Sequence, residues 1–97
     1  MQTPPRSDFG SALRIARKAV GLPQEAFDQI SSRTYISSLE RGLKTPTILK
    51  VDDLATVLKV HPLTLLALCY LPKPTPAATE RLLNRVTNEL QRLTLIE

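Results

Sequence analysis

Two scarcities narrow what this chain can do: in 97 residues there is one cysteine and one histidine. A lone thiol, Cys69, cannot close an internal disulfide, so the fold must hold without one and a reducing compartment is the natural setting. Metal sites take three or four suitably spaced ligands. One His, one Cys and scattered carboxylates do not supply them, and neither a metal nor another cofactor is expected. Glycine is nearly as sparse, and Gly10, Gly21 and Gly42 are too far apart for a loop that cradles a nucleotide. Tryptophan is absent and the aromatics are two Phe and two Tyr, which leaves a core of Leu, Ile, Val and Ala. No apolar run approaches the ~20 residues that cross a bilayer, and MQTPPRSDFG lacks the apolar centre of a signal peptide. A soluble, cytoplasmic protein away from membranes is the expectation.

The remaining candidates for chemistry have plainer roles. Asp52 and Asp53 are consecutive, so on a helix they diverge by about 100° and cannot work as a paired acid and base. His61 stands before Pro62 at a helix start, where capping or exposure outweighs a role as ligand or base. Cys69 lies in the run LLALCY, which suits a small buried hydrophobe better than a redox sensor. Catalysis has no residues behind it, and the chain is not read as an enzyme.

Prolines and glycines divide the chain into six helical segments, with no alternating β-branched pattern of a strand. The first runs from Ser7 or Asp8 to Val20, with Phe9, Leu13, Ala16 and Val20 at the spacing of a buried face. Gly21 stops it. Pro23 opens the second, whose inward candidates are Ala26, Phe27 and Ile30. The third spans Ser32 to Arg41. Thr47 caps a fourth, running to Leu58, with Ile48, Val51, Leu54, Ala55 and Leu58 on one face. His61-Pro62 starts a fifth that ends near Leu71. The fold class is therefore all-α, with one domain over residues 1–71.

Pro72, Pro74 and Pro76 then make residues 72–76 an extended linker. Residues 77–97 form a sixth, amphipathic helix, capped by Thr75 and reaching about Leu95. Leu83, Val86, Leu90 and Leu93 fall at the a and d positions of two heptads, with Leu82 and Ile96 beside them. That stripe suits dimerisation. A helix folded back on its own domain is the alternative.

The most informative stretch is PQEAFDQISSRTYISSLERG, Pro23 to Gly42. It reads as two short helices joined by a tight turn. Ser32 caps the second, Ile36 and Leu39 bury it, and Gly42 ends it. Ser32, Arg33, Thr34, Ser37 and Ser38 are left in the first turns, where side chains reach deepest into a major groove. Arg33 can bond guanine O6 and N7 together, or clamp a phosphate instead. Arg41 and Lys44 follow the helix and suit phosphate contact. Tyr35 either reaches the backbone with its hydroxyl or packs as a partly exposed ring. Charge agrees with this reading. From Arg6 to Lys50 there are eight basic and four acidic residues, whereas Val51 to Glu97 has five of each. The positive excess lies in the half that holds these two helices, as a phosphate-binding surface requires.

The strings Gln24-Glu25, Arg33-Thr34-Tyr35-Ile36-Ser37 and Leu39-Glu40-Arg41-Gly42, followed by Pro46 and a helix, resemble the lambda-repressor and Cro-like helix-turn-helix family, the xenobiotic-response-element regulators. The resemblance runs from about Phe9 to Leu66. It implies a five-helix DNA-binding domain and a bacterial or phage transcriptional regulator, a repressor that binds a palindromic operator in double-stranded DNA as a homodimer. It also implies that Gln24 bonds a phosphate, and that Glu40 pairs with an arginine of the first helix, here Arg17. Between Gln24 and Tyr35 the chain is about two residues shorter than the family pattern, and Ser31-Ser32 replaces its turn glycine. A shortened first helix or a tighter turn follows. The alternative is an antitoxin-like protein whose last helix binds a toxin, or another co-regulating protein, while the first domain represses its own operon.

Overall fold

Every α-helix begins at a side chain able to cap it. In a computed structural model that describes residues 8–95, Asp8 opens α1 (Phe9–Ala19) and Ser32 opens α2 (Arg33–Glu40). Thr47 opens α3 (Ile48–Leu58), His61 opens α4 (Pro62–Cys69) and Thr75 opens α5 (Pro76–Thr94). Each cap accepts a first-turn N–H at 2.7 to 3.1 Å, satisfying a donor that has no partner within the helix. Ser7, the alternative first cap, lies outside the described residues, as does Ile96. Between α1 and α2 the chain makes a single 3-10 turn, η1 (Gln24–Phe27). The first helix of the two-helix unit is thus shortened to four residues.

Helix ends follow one pattern. Past α1, Gly21 at φ 76° lets its own N–H and that of Leu22 turn back onto Lys18 and Arg17 carbonyls. Past α2, Gly42 at φ 75° does the same, with Leu43 N–H donating to Ser38 O at 2.9 Å. Past α3 the same closure falls to Lys59 at φ 61°, a side chain in the left-handed region.

Leu13, Phe27, Ile36, Leu39, Val51, Leu54, Leu58 and Leu65 make the core, to which α1, η1, α2, α3 and α4 all contribute. Two inward expectations are corrected. Val20 is 47% exposed because α1 ends at Ala19, whereas Leu13 is buried and Phe9 and Ala16 pack against the core, with Gly10 and Ala12 buried beside them. Ile48 is 79% exposed because it is the first residue of α3, a turn before that helix meets the core at Val51.

Gly10 permits a close approach of two helices. A Cβ there would lie 2.2 Å from the Leu39 carbonyl oxygen, so α1 crosses the end of α2 almost backbone to backbone. Leu71 is the last buried residue among those described, and α5 follows with none. Leu63, Ala67, Leu68 and Leu71 face Leu82 and Leu83 across an apolar groove of about 440 Å³ between α4 and α5. Val86 is half-buried, whereas Leu90 and Leu93 are exposed. The proximal half of α5 therefore leans on α4, and its distal half carries an uncovered apolar stripe. Among the described residues no helix is long and apolar enough to cross a membrane.

Candidate nucleic-acid interface

Gln24 at the start of η1, Arg33, Thr34 and Ser37 along α2, and Arg41 at its C-terminal cap line one shallow concavity of about 330 Å³. Positions 33, 34, 37 and 41 share a helix face by their spacing. Ile36 and Leu39 occupy the opposite face and are fully buried. The result is a helix anchored on one side and lined on the other with hydroxyls and two guanidinium groups. Such donors can reach base edges and phosphate oxygens.

The remaining expected residues fall differently. Ser32 sits at the N-terminus of α2 with its Oγ accepting the Tyr35 N–H at 3.1 Å, so its lone pair serves the cap and its O–H can donate outward. Ser38 is corrected: it is only 7% exposed. The Leu43 N–H turns back onto the Ser38 carbonyl at 2.9 Å. Tyr35 packs half-buried against the core, with the Lys50 ammonium 5.8 Å from the ring centre. Lys44 is exposed on the 42–46 loop, beside a second hollow lined by Phe9, Ile48 and Tyr70, apart from the five residues of the concavity.

Behind the concavity lies a buried charge cluster. Arg17 Nε donates to Glu40 Oε2 at 2.6 Å and Arg17 Nη2 to Oε1 at 2.9 Å. Gln24 Nε2 donates to Oε1 at 3.2 Å, and Arg14 Nη2 to the Glu40 carbonyl at 3.2 Å. Burial pushes the Glu40 carboxyl upward, but the bonds from Arg17, Gln24 and Arg14 and the Arg17 charge outweigh it and hold the carboxyl below its ordinary range. The same bond to Glu40 raises Arg17. Gln24 thus touches the lock with its amide nitrogen while lining the outer surface.

Three residues escaped the sequence reading. Arg14 shares the Arg17 face of α1 by its i, i+3 spacing, a signal that was available. Lys50 donates to the Ile30 carbonyl at 2.8 Å and so ties α3 to the turn between η1 and α2. Glu25 lies 3.4 Å from Arg33. Nothing local marks the last two, because each joins segments that meet only on folding. Among the described residues no group of His, Cys, Asp or Glu could hold a metal ion.

The family model described as helix-turn-helix matches residues 13–65, a span that holds α2 and the whole core. Among solved structures, the restriction-modification controller protein C.AhdI from Aeromonas hydrophila is similar at 36% identity and a TM-score of 0.55. That match covers 59% of this chain and 89% of the other. No curated protein matches.

Proposed function

The chain belongs to the helix-turn-helix family, of the lambda-repressor-like, xenobiotic-response-element class, and is a DNA-binding transcriptional regulator; on that premise we propose that it is a repressor binding a palindromic operator as a homodimer. The observation that carries the reading is the shared surface of Gln24, Arg33, Thr34, Ser37 and Arg41 on a helix whose other face is locked into the core. Arg33, in the first turn of α2, reads guanine. Thr34 and Ser37 are small enough to let the helix approach and can bond a base or touch a thymine methyl. Gln24, Arg41 and Lys44 hold the phosphates on either side.

One such unit reads about half a turn of duplex, so two-fold pairing is needed to join half-sites about 34–36 Å apart. The uncovered Leu90 and Leu93, continuing the stripe from Leu83 and Val86, support α5 as the pairing element. Residues 1–71 then form the DNA-binding unit and 72–76 the spacer. The likeness to a restriction-modification controller supports a more particular reading, in which the regulated genes encode a restriction-modification pair.

Selection of bound sequences from a random duplex pool tests the proposal. A palindromic consensus is the expected result, with affinity that falls steeply with salt. Roughly 4–6 phosphate contacts per dimer give a log–log slope of about −4 to −5. Arg33→Ala should cost about 1–3 kcal/mol and relax one base-pair position per half-site. Arg41→Ala and Lys44→Ala should weaken all sequences alike and flatten the salt slope. A slope near zero, with no enriched sequence, rejects the proposal.

A further inference from the structure

An acidic side chain stands on the DNA-facing side of this molecule. Glu25 is half-exposed on η1, and its Oε2 lies 3.4 Å from Arg33 Nη2. It also acts through its charge on Arg17. Charges therefore alternate outward from the buried lock: Glu40, Arg17, Glu25, Arg33. The element that carries Glu25 is fixed, because Phe27 in the same turn is fully buried and Gln24 is bonded to Glu40.

A carboxylate here opposes phosphate binding, within a Debye length of about 8–10 Å at ordinary ionic strength. An unaccompanied arginine at the tip of α2 would settle on whichever phosphate oxygen came nearest, since every step of the backbone offers one. Guanine O6 and N7 are acceptors without formal charge, so Glu25 does not repel them as it repels a phosphate. The guanidinium has five N–H donors, and one edge can face Glu25 while another is presented outward.

We propose that Glu25 is a positioning residue that sets the specificity of Arg33, holding its guanidinium for a guanine edge and disfavouring its capture by phosphate. The inference rests on the reading of Arg33 as a base contact. The pair is exposed and adds little to stability. Its effect lies in which acceptor the arginine takes.

The test is Glu25→Gln in the full chain, alone and combined with Arg33→Ala. Sequences are selected from a random duplex pool, and binding is then measured on the selected operator, its single-base variants and an unrelated duplex of equal length. The Glu25→Gln variant should bind the unrelated duplex roughly two- to fivefold tighter, as loss of one exposed charge pair allows. Discrimination at one base pair per half-site should fall by a similar factor, and both changes should disappear in the Arg33→Ala background. Equal tightening on every duplex with base preferences intact overturns the inference, as does the same tightening without Arg33. A wild-type chain that selects no sequence overturns the functional reading and this inference with it.

Discussion

Glu40, the last residue of α2, has each of its carboxylate oxygens bonded by one guanidinium, that of Arg17 in α1, at 2.6 and 2.9 Å. The Glu40 side chain is 1% exposed and that of Arg17 11%. The charge that ends the candidate recognition helix is thus spent on orienting that helix, not on contacting a ligand.

Removing either partner strands a buried charge. Arg17→Ala or Glu40→Ala should lower stability by about 3–5 kcal/mol, measured by chemical denaturation. The double substitution Arg17→Met with Glu40→Leu should recover much of the loss, because a matched apolar pair leaves no unpaired charge. Single variants within ~1 kcal/mol of wild type would show that the pair is not a lock.

Acid should open it. The Glu40 carboxyl is held below its ordinary value in the folded state, so the unfolded chain takes up the proton first as pH falls. The stability from this group is complete above the ordinary glutamate value of about 4.3 and is lost as pH drops from there through the folded value. Denaturation midpoints between pH 6 and pH 2 should fall steeply at the acid end in wild type and less steeply in Glu40→Gln, which starts from lower stability.

Gly10→Ala sets two effects of opposite sign against each other. Alanine gains up to ~1 kcal/mol of helix propensity over glycine. The added Cβ, however, would meet the carbonyl oxygens of Leu39 at 2.2 Å and Glu40 at 2.7 Å, and both are backbone atoms that cannot rotate away. Overpacking of this kind costs about 1–3 kcal/mol and more where backbone must shift. A lower melting temperature is expected, with weaker DNA binding as α2 tilts. A stabilised variant would mean that α1 and α2 separate easily.

Lys59 offers the reverse case. It closes α3 at φ 61° with an exposed side chain, a conformation that disfavours any Cβ. Lys59→Gly should raise stability by about 0.5–1 kcal/mol after the entropy of the freer glycine is counted. The measurement is a denaturation curve with unchanged slope and a higher midpoint.

Truncation after Leu71 separates the two parts of the molecule. No residue of α5 is buried, so residues 1–71 should keep their helical signal. Sedimentation should show a monomer that fills palindromic half-sites independently and more weakly. A truncated dimer would move the pairing surface onto the first four α-helices.

The starts of the α-helices were legible in the chain because their signals act over three or four residues. Asp8, Ser32, Thr47 and Thr75 each bond a backbone N–H three positions on, and Gly21 and Gly42 need only their own φ to stop a helix. The outer face of α2 was legible for the same reason: Ile36 and Leu39 declare the inner side, and Arg33, Thr34, Ser37 and Arg41 follow from helical geometry. Periodicity cannot say where a neighbouring segment docks. It placed Ser38 outside and Ile48 inside, although the first is nearly buried and the second stands a turn before its helix meets the core. Arg17 and Glu40 are 23 residues apart, Lys50 and Ile30 20. The first pair was suggested by family resemblance and not by any local pattern. Gly10 needs its missing side chain only because α2 crosses there, and Glu25 meets Arg33 only because the turn between them is short. Such contacts depend on the docked positions of whole helices, and those positions come from core packing summed over the domain.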